Sequence, residues 1–138
     1  MKPYPKSPRK IKLSGLKAKA WKLFSEIIRR RDTDSRGFTA CVTCGKRAHW
    51  KEMQASHFLD GRHGAVLFNP NGVWPGCVRC NIFLHGNKIK YTLFMQEKFG
   101  LAYVEEMIAR SHDQVIYSRS DYEQMIKMFT DTLEKLNS

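Results

Sequence analysis

The four cysteines, and the histidines and asparagines around them, carry the chemistry available to this sequence. The cysteines fall in two pairs, Cys41-Val-Thr-Cys44 and Cys77-Val-Arg-Cys80. Two residues between cysteines let both sulfurs turn toward one ion, and two such knuckles complete a tetrahedral four-thiolate shell. Four thiolates leave zinc no open position, so a Zn²⁺ held there is structural and does not activate water. Disulfides are the less favoured use of the same cysteines, and a redox pair is weaker still, because it needs only one CxxC within a βαβ unit. Between and just after the knuckles lie His57, Asp60, Arg62, His63, Asn69, Asn71, Asn81, His85 and Asn87. A neutral imidazole can take a proton from water, and an Asn carbonyl is an oxygen ligand for Mg²⁺ or Mn²⁺. A hard cation beside a scissile phosphate polarises it and stabilises the leaving oxygen. Singly, each residue has a plainer use: a hydrogen-bonding histidine, an Asn capping a helix, or Asn69-Pro-Asn71-Gly as a turn.

These groups need elements to position them. From Ser14, the residues Leu16, Ala20, Leu23, Phe24, Ile27 and Ile28 recur at helical spacing, and the helix ends in Arg29-Arg30-Arg31, which suits its negative pole. Residues 32–81 hold all four cysteines and most of the glycines, and read as irregular loops with a small β-hairpin, strands near 50–58 and 66–74. The stretch 45–76 exceeds an ordinary zinc-ribbon loop, so something folded is held between the knuckles. After Cys80, Ile82, Phe83, Ile89, Leu93, Phe94 and Phe99 predict a helix, irregular at Gly86 and ending at Gly100. A short helix over 101–110 follows. Ser120-Asp-Tyr-Glu123 then predicts a capping box opening a last helix, with Tyr122, Met125, Ile126, Phe129, Leu133 and Leu136 on one side.

Charge adds a partner. The 138 residues carry 24 Lys+Arg and 13 Asp+Glu, a formal net of +11. Residues 1–36 hold 12 of the cations and only Glu26, Asp32 and Asp34 as anions. Such a field suits a polyanion, because each neutralised phosphate releases counterions. Zinc with four thiolates would lower the working charge to about +9. Residues 1–12 read as a basic N-terminal arm and 13–138 as one zinc-stapled domain, with a core of about 37–100 and C-terminal helices over 101–138. No apolar run reaches the roughly 18 residues of a membrane span, and Met1-Lys-Pro-Tyr-Pro-Lys has no export core. A cytoplasmic protein without a membrane role is expected.

Cys-x2-Cys, then His, then Asn, then Cys-x2-Cys-Asn resembles a zinc-bearing HNH, or His-Me finger, nuclease. More closely, residues 27–32 (Ile-Ile-Arg-Arg-Arg-Asp), Cys41-x-x-Cys44-Gly, Ala55-Ser-His57-Phe, Arg62-His63 and Cys77-Val-Arg-Cys80-Asn81 resemble the NinG/Rap recombination endonucleases of lambdoid phages. Leu84-His-Gly86-Asn87, Tyr91 and Phe99-Gly100 extend that likeness over roughly residues 25–110. Endonuclease VII of T-even phages has a similar layout of four zinc cysteines with Asn after the last.

The resemblance implies an α+β fold with a ββα-metal core, flanked by the N-terminal helix and C-terminal helices. It implies His57 at the end of the first strand as general base, Asn71 (or Asn69) holding the loop, and Asn81 as a ligand to the catalytic Mg²⁺ or Mn²⁺. Many HNH proteins carry an acid or His directly before the base, where this chain has Ser56. Asp60 and His63 are the nearest replacements, and His63 is preferred. The activity implied is hydrolysis of phosphodiesters in branched DNA such as Holliday junctions and D-loops, in the bacterial host cytoplasm if the chain is phage-encoded. Lys10, Arg29, Arg30, Arg31, Arg62 and Arg79 are the expected phosphate contacts. A symmetric junction needs two active sites, so a homodimer is expected, with the apolar faces of the C-terminal helices as its interface or, alternatively, as ordinary intrachain core. A non-catalytic zinc module that binds nucleic acid is the main rival, and a protein-interaction zinc finger a second.

Overall fold

Leu16, Ala20, Phe24 and Ile28 recur every fourth residue, and in helix α1 (Leu13–Arg30) they form one buried stripe. A computed structural model describes residues 11–60 and 64–138. After α1 come β1 (Phe38–Ala40), β2 (Arg47–His49), β3 (Gln54–His57), a short α2 (Gly64–Leu67) and β4 (Val73–Gly76). A π-helical turn over Arg79–Phe83 leads to α3 (Lys88–Phe99), α4 (Leu101–Ala109) and α5 (Arg119–Asn137). The chain is thus mixed α+β, with two small antiparallel sheets.

The first sheet pairs β1 with β2, and its turn is the first cysteine knuckle, closed by Cys41 N–H to Lys46 O at 2.8 Å. The second pairs Gln54 with Gly76 through His57 with Val73. The expected hairpin therefore exists, but its strands are shorter than 50–58 and 66–74. Trp50–Glu52 is a 3-10 turn, residues 64–67 are helical, and Asn69-Pro-Asn71-Gly72 makes the turn that delays β4 to Val73. Proline fixes φ there, and the Asn69 side chain accepts from Asn71 N–H at 3.1 Å, which closes a turn where extended pairing was expected.

Three buried clusters meet on the β3–β4 ribbon. The first joins α1 to α5 through Phe24, Val73, Tyr122 and Phe129. The second surrounds the cysteines with Ala48 and Met53, and the third packs Phe58 and Trp74 against Tyr91, Met95 and Val104 of α3 and α4. The stripe of α5 is thus packed on α1, so Tyr122, Phe129 and Leu133 are intrachain core and not the expected dimer face.

The irregularity expected at Gly86 is a full break, and the regular helix begins only at Lys88. His85, Gly86 and Asn87 all take positive φ (52°, 90° and 50°), and the chain turns sharply before α3. Glycine takes such a conformation freely, whereas β-carbons resist it. The last helix is capped two residues earlier than Ser120. Ser118 Oγ accepts from Asp121 N–H at 3.1 Å, and Asp121 Oδ2 accepts from Ser118 N–H at 2.8 Å. That register puts Tyr117 and Tyr122 just outside and just inside the cap, rings 5.7 Å apart, as a hydrophobic staple. Among the described residues, no helix is long and apolar enough to cross a membrane.

Candidate active site and metal centre

The two knuckles converge as their spacing implies. The sulfurs of Cys41, Cys44, Cys77 and Cys80 all lie within 4.8 Å of one another, with Cys44 and Cys77 3.8 Å apart. A tetrahedron with Zn–S bonds of about 2.3 Å has sulfur–sulfur edges of about 3.8 Å, so the cluster is sized for zinc. Further donors surround the sulfurs. Cys80 N–H donates to Cys77 Sγ at 3.4 Å, Asn87 Nδ2 to Cys80 Sγ at 3.6 Å, and the Thr43 hydroxyl lies 3.4 Å from Cys41 Sγ. Burial pushes the Cys77 thiol up to about 12. At Cys41, burial pushes the same way but is outweighed by the N–H groups of Cys44, Cys77 and Thr43 and by the Thr43 hydroxyl, which bring the thiol down to about 6. A central cation lets all four ionise together, so these cysteines could hold a zinc ion with every position filled by protein.

His57 is the last residue of β3, half-buried at the ribbon's end. Its Nε2 lies 3.2 Å from the Leu67 carbonyl, and since a carbonyl only accepts, Nε2 carries the hydrogen. Nδ1 is then the basic nitrogen. The ring stacks on Trp21 of α1, centroids 5.0 Å apart and 18° from parallel, so its plane is fixed as well.

The backbone beneath this ring is clamped from α3, which the sequence reading did not anticipate. Lys88 Nζ donates to the His57 carbonyl at 2.8 Å and to the Phe58 carbonyl at 2.7 Å, and pairs with Asp60 at 3.0 Å. One helical turn on, the fully buried Tyr91 donates its hydroxyl to the Ser56 carbonyl at 2.6 Å. Ser56 and Trp74 are opposite each other in the ribbon, so the hydroxyl ties α3 to a paired rung of the ladder. Three consecutive carbonyls are held by one face of α3. The i, i+3 spacing of Lys88 and Tyr91 was the available signal.

Asn81 lies in the π-helical turn rather than at the start of a helix, and its Nδ2 donates to Gln54 Oε1 at 2.7 Å. Strand alternation puts Gln54 and Ser56 on one face of β3 and Ala55 and His57 on the other, where Ala55 meets the α1 cluster. Asn81 thus belongs to the Gln54–Ser56 side. Gly76 floors that side: a β-carbon there would meet Ser56 Cβ at 2.8 Å, Ser56 Oγ at 3.3 Å and Asn81 Cβ at 3.7 Å. Without one, three neutral side chains bearing oxygen converge over the ribbon.

Asn71 is exposed in the loop before β4, where its Nδ2 donates to the Tyr103 hydroxyl at 2.9 Å and its carbonyl accepts from Trp74 Nε1 at 2.8 Å. It ties the loop to α4, while Asn69 caps the turn itself. Arg31 also holds this loop. Its guanidinium donates to the carbonyls of Pro70 and Val73 at 2.9 and 3.1 Å and lies 3.9 Å over the Trp74 ring. Arg31 is therefore engaged within the chain. Arg29 and Arg30 both lie over the Trp50 ring, at 5.2 and 5.1 Å, beside Lys51 at 5.8 Å, and Arg79 is exposed next to the knuckles. His63, Arg62 and Lys10, with most of the 1–12 arm, lie outside the described residues.

Fold and site together define a small α+β protein organised around a four-cysteine centre, with an oriented histidine at the end of a clamped strand. Comparison narrows this class. The chain belongs to the NinG family of bacteriophage proteins, since the family model described as Bacteriophage Lambda NinG protein matches residues 6–138. It is 28% identical over 116 residues to the protein ninG of Salmonella phage P22, an alignment covering 77% of this chain and 53% of that protein. The chain spans about half the length of that curated relative. No solved structure matches it.

Proposed function

We propose that this chain is a divalent-metal-dependent DNA endonuclease of the HNH type, cutting phosphodiesters in branched recombination intermediates in the phage host's cytoplasm. The observation that carries the reading is His57, a strand-end imidazole whose tautomer, ring plane and backbone are each fixed by a separate contact. A histidine with Nε2–H given to a carbonyl and Nδ1 basic is arranged to accept a proton from water. The order β3, a loop with the short α2, β4 and a helical turn over residues 54–83 supports a ββα-metal reading.

On the other face of the ribbon a second donor set suits a hard cation. Gln54, Ser56 and Asn81 offer neutral oxygens above Gly76, and Mg²⁺ characteristically keeps several waters and takes its anionic ligands from substrate phosphate. Asn81 would hold the Mg²⁺ or Mn²⁺, with His63 as the expected second ligand. When bound, the ion supplies charge stabilisation at the scissile phosphate. The chain's own residues do the rest. His57 takes the proton from the attacking water, and Trp21 and the Leu67 carbonyl keep its ring in line. Lys88 and Tyr91 keep the strand end from shifting, which matters because misplacement by about 1 Å can cost 10²-fold in rate. Arg29, Arg30 and Lys51 around Trp50, with Arg62, Arg79 and Lys10, grip backbone without reading sequence. Two active sites for a symmetric junction imply a homodimer.

The test is incubation of the zinc-loaded protein with labelled four-way junction, flap and linear duplex, with Mg²⁺, with Mn²⁺ or with neither. The expected result is metal-dependent cutting of branched DNA that His57→Ala lowers by at least 10²-fold. Absence of cutting with either ion refutes the enzyme reading and leaves a zinc module that binds nucleic acid. Cutting unchanged in His57→Ala refutes the base.

A further inference from the structure

We propose that the apolar edge following the fourth cysteine, formed by Ile82, Phe83, Ile89 and Leu93, receives unstacked bases at the branch point of a DNA junction. The proposal rests on DNA being the partner but not on its being cut. Phe83 is 72% exposed, Ile89 81% and Leu93 61%. Helix α3 buries Tyr91 and Met95 on its inner face, so Ile89 and Leu93, one turn apart, occupy the opposite one. Large apolar side chains left in water forgo the burial that stabilises a core, so a run of them asks for a partner.

The edge is rigid before anything binds. Leu84 N–H bonds Arg79 O and Gly86 N–H bonds Cys80 O, both at 2.8 Å, so the residues carrying Phe83 are tied to the cysteine cluster. A preorganised edge loses little freedom on contact. Its charge selects the ligand. Between Asp60 and Glu97 the sequence has no acidic residue; Lys88 is held in the strand clamp and paired with Asp60, and Arg79 and Lys90 are the exposed cations of this stretch. Apolar side chains bordered by cations fit a ligand that pairs an anionic backbone with flat apolar faces. Duplex DNA keeps those faces stacked, whereas a branch point exposes them, and Phe, Leu and Ile are the side chains that wedge between bases.

The test reads binding without cutting: zinc-loaded protein, no Mg²⁺ or Mn²⁺ added, and a four-way junction carrying 2-aminopurine at its crossover, beside a duplex of the same sequence. Wild type is expected to prefer the junction and to change the 2-aminopurine fluorescence. Phe83→Ala, at an exposed position, is expected to lose about ten-fold or more in junction affinity and to keep duplex affinity within about two-fold. Ile89→Ala is expected to change affinity in the same direction. Unchanged junction affinity in both variants overturns the proposal, as does equal loss on junction and duplex. It is also overturned if sedimentation shows a wild-type dimer that Phe83→Ala dissociates, because the edge then pairs two copies. Adding Mg²⁺ or Mn²⁺ separates the two readings. Binding through Phe83 without any cutting upholds this edge and removes the nuclease, and cutting with Phe83→Ala indifferent does the reverse.

Discussion

Replacing Lys88 by Met tests whether the strand end that carries His57 is held from α3. Methionine keeps the length and the aliphatic packing but removes the donor to the His57 and Phe58 carbonyls and the ion pair with Asp60. A hydrogen bond involving a charged group contributes about 1.5–3 kcal/mol, but the Lys88 side chain is 34% exposed, so the low end applies. The Asp60 pair adds little, since that carboxylate is 86% exposed and such pairs contribute at most about 1 kcal/mol. The expected loss is about 2–3 kcal/mol. In urea at saturating zinc, followed by tryptophan fluorescence, a slope of about 1–3 kcal/mol per molar turns this into a midpoint shift of about 0.7–3 M. Asp60→Asn is expected to shift the midpoint by less than a third as much. In the cutting assay, Lys88→Met is expected to lower kcat with KM nearly unchanged, and Lys88→Arg to recover most of the stability. Equal losses for Lys88→Met and Asp60→Asn would refute the reasoning, because the surface ion pair would then be the clamp. So would a stable Lys88→Met.

Tyr91→Phe is expected to cost about 1–3 kcal/mol, because the Ser56 carbonyl loses the buried hydroxyl that donates to it. Burial raises the Tyr91 pKa above its usual 10, so the folded state keeps the proton. That contribution is complete below the unfolded pKa and is lost as pH rises through the folded one. Wild type should therefore lose stability above about pH 10 more steeply than Tyr91→Phe, and parallel pH curves would contradict the assignment. Gly76→Ala should lower the melting temperature, by about 1–3 kcal/mol of stability, because the new methyl meets Ser56 and Asn81. An unchanged melting temperature would show that no close approach exists there. Removing zinc with a chelator should release the amides of residues 38–57 and 73–83 to fast exchange while α1 and α5, packed through their own aromatic cluster, keep part of the helical circular dichroism. Uniform protection after chelation would mean the cysteines hold no structural metal.

What could be read from the sequence depended on how locally each feature is encoded. The cysteine cluster was legible because Cys-x2-Cys spacing determines where two sulfurs can point, whatever lies between. Helices α1 and α5 were legible because their apolar residues repeat at helical period, and His57 at a strand end followed from the motif around it. The strand bounds were not legible. Residues 66–74 look extended, yet Gly64–Leu67 coils and Asn69-Pro70-Asn71 closes a turn through one side-chain hydrogen bond. The start of α5 was read two residues late, at Ser120, because the Ser118–Asp121 box is joined by the Tyr117–Tyr122 contact, which packs across the cap. The role of Arg31 was invisible for a different reason. A basic residue at a helix end reads equally as phosphate grip or as loop clamp, and only the distant carbonyls of Pro70 and Val73 distinguish them.

A two-stranded ribbon with four residues in each strand is marginal by itself in water. Under the proposed mechanism it must hold an imidazole with the precision that proton transfer needs. The three clusters divide that work. Val73 anchors one strand to the α1–α5 core, Cys77 continues the other end into the thiolate knuckle, and Phe58 and Trp74 lock the far face onto α3 and α4. Lys88 and Tyr91 then fix the carbonyls of Ser56, His57 and Phe58 individually. Each support comes from a different part of the sequence, so losing one tilts the ribbon before it unfolds it. Substitutions at Lys88 or Tyr91 should therefore impair the alignment of His57 at smaller cost in stability than truncation of Phe24 or loss of the cysteine centre, because the latter two remove a whole cluster while the former loosen only its grip on the strand.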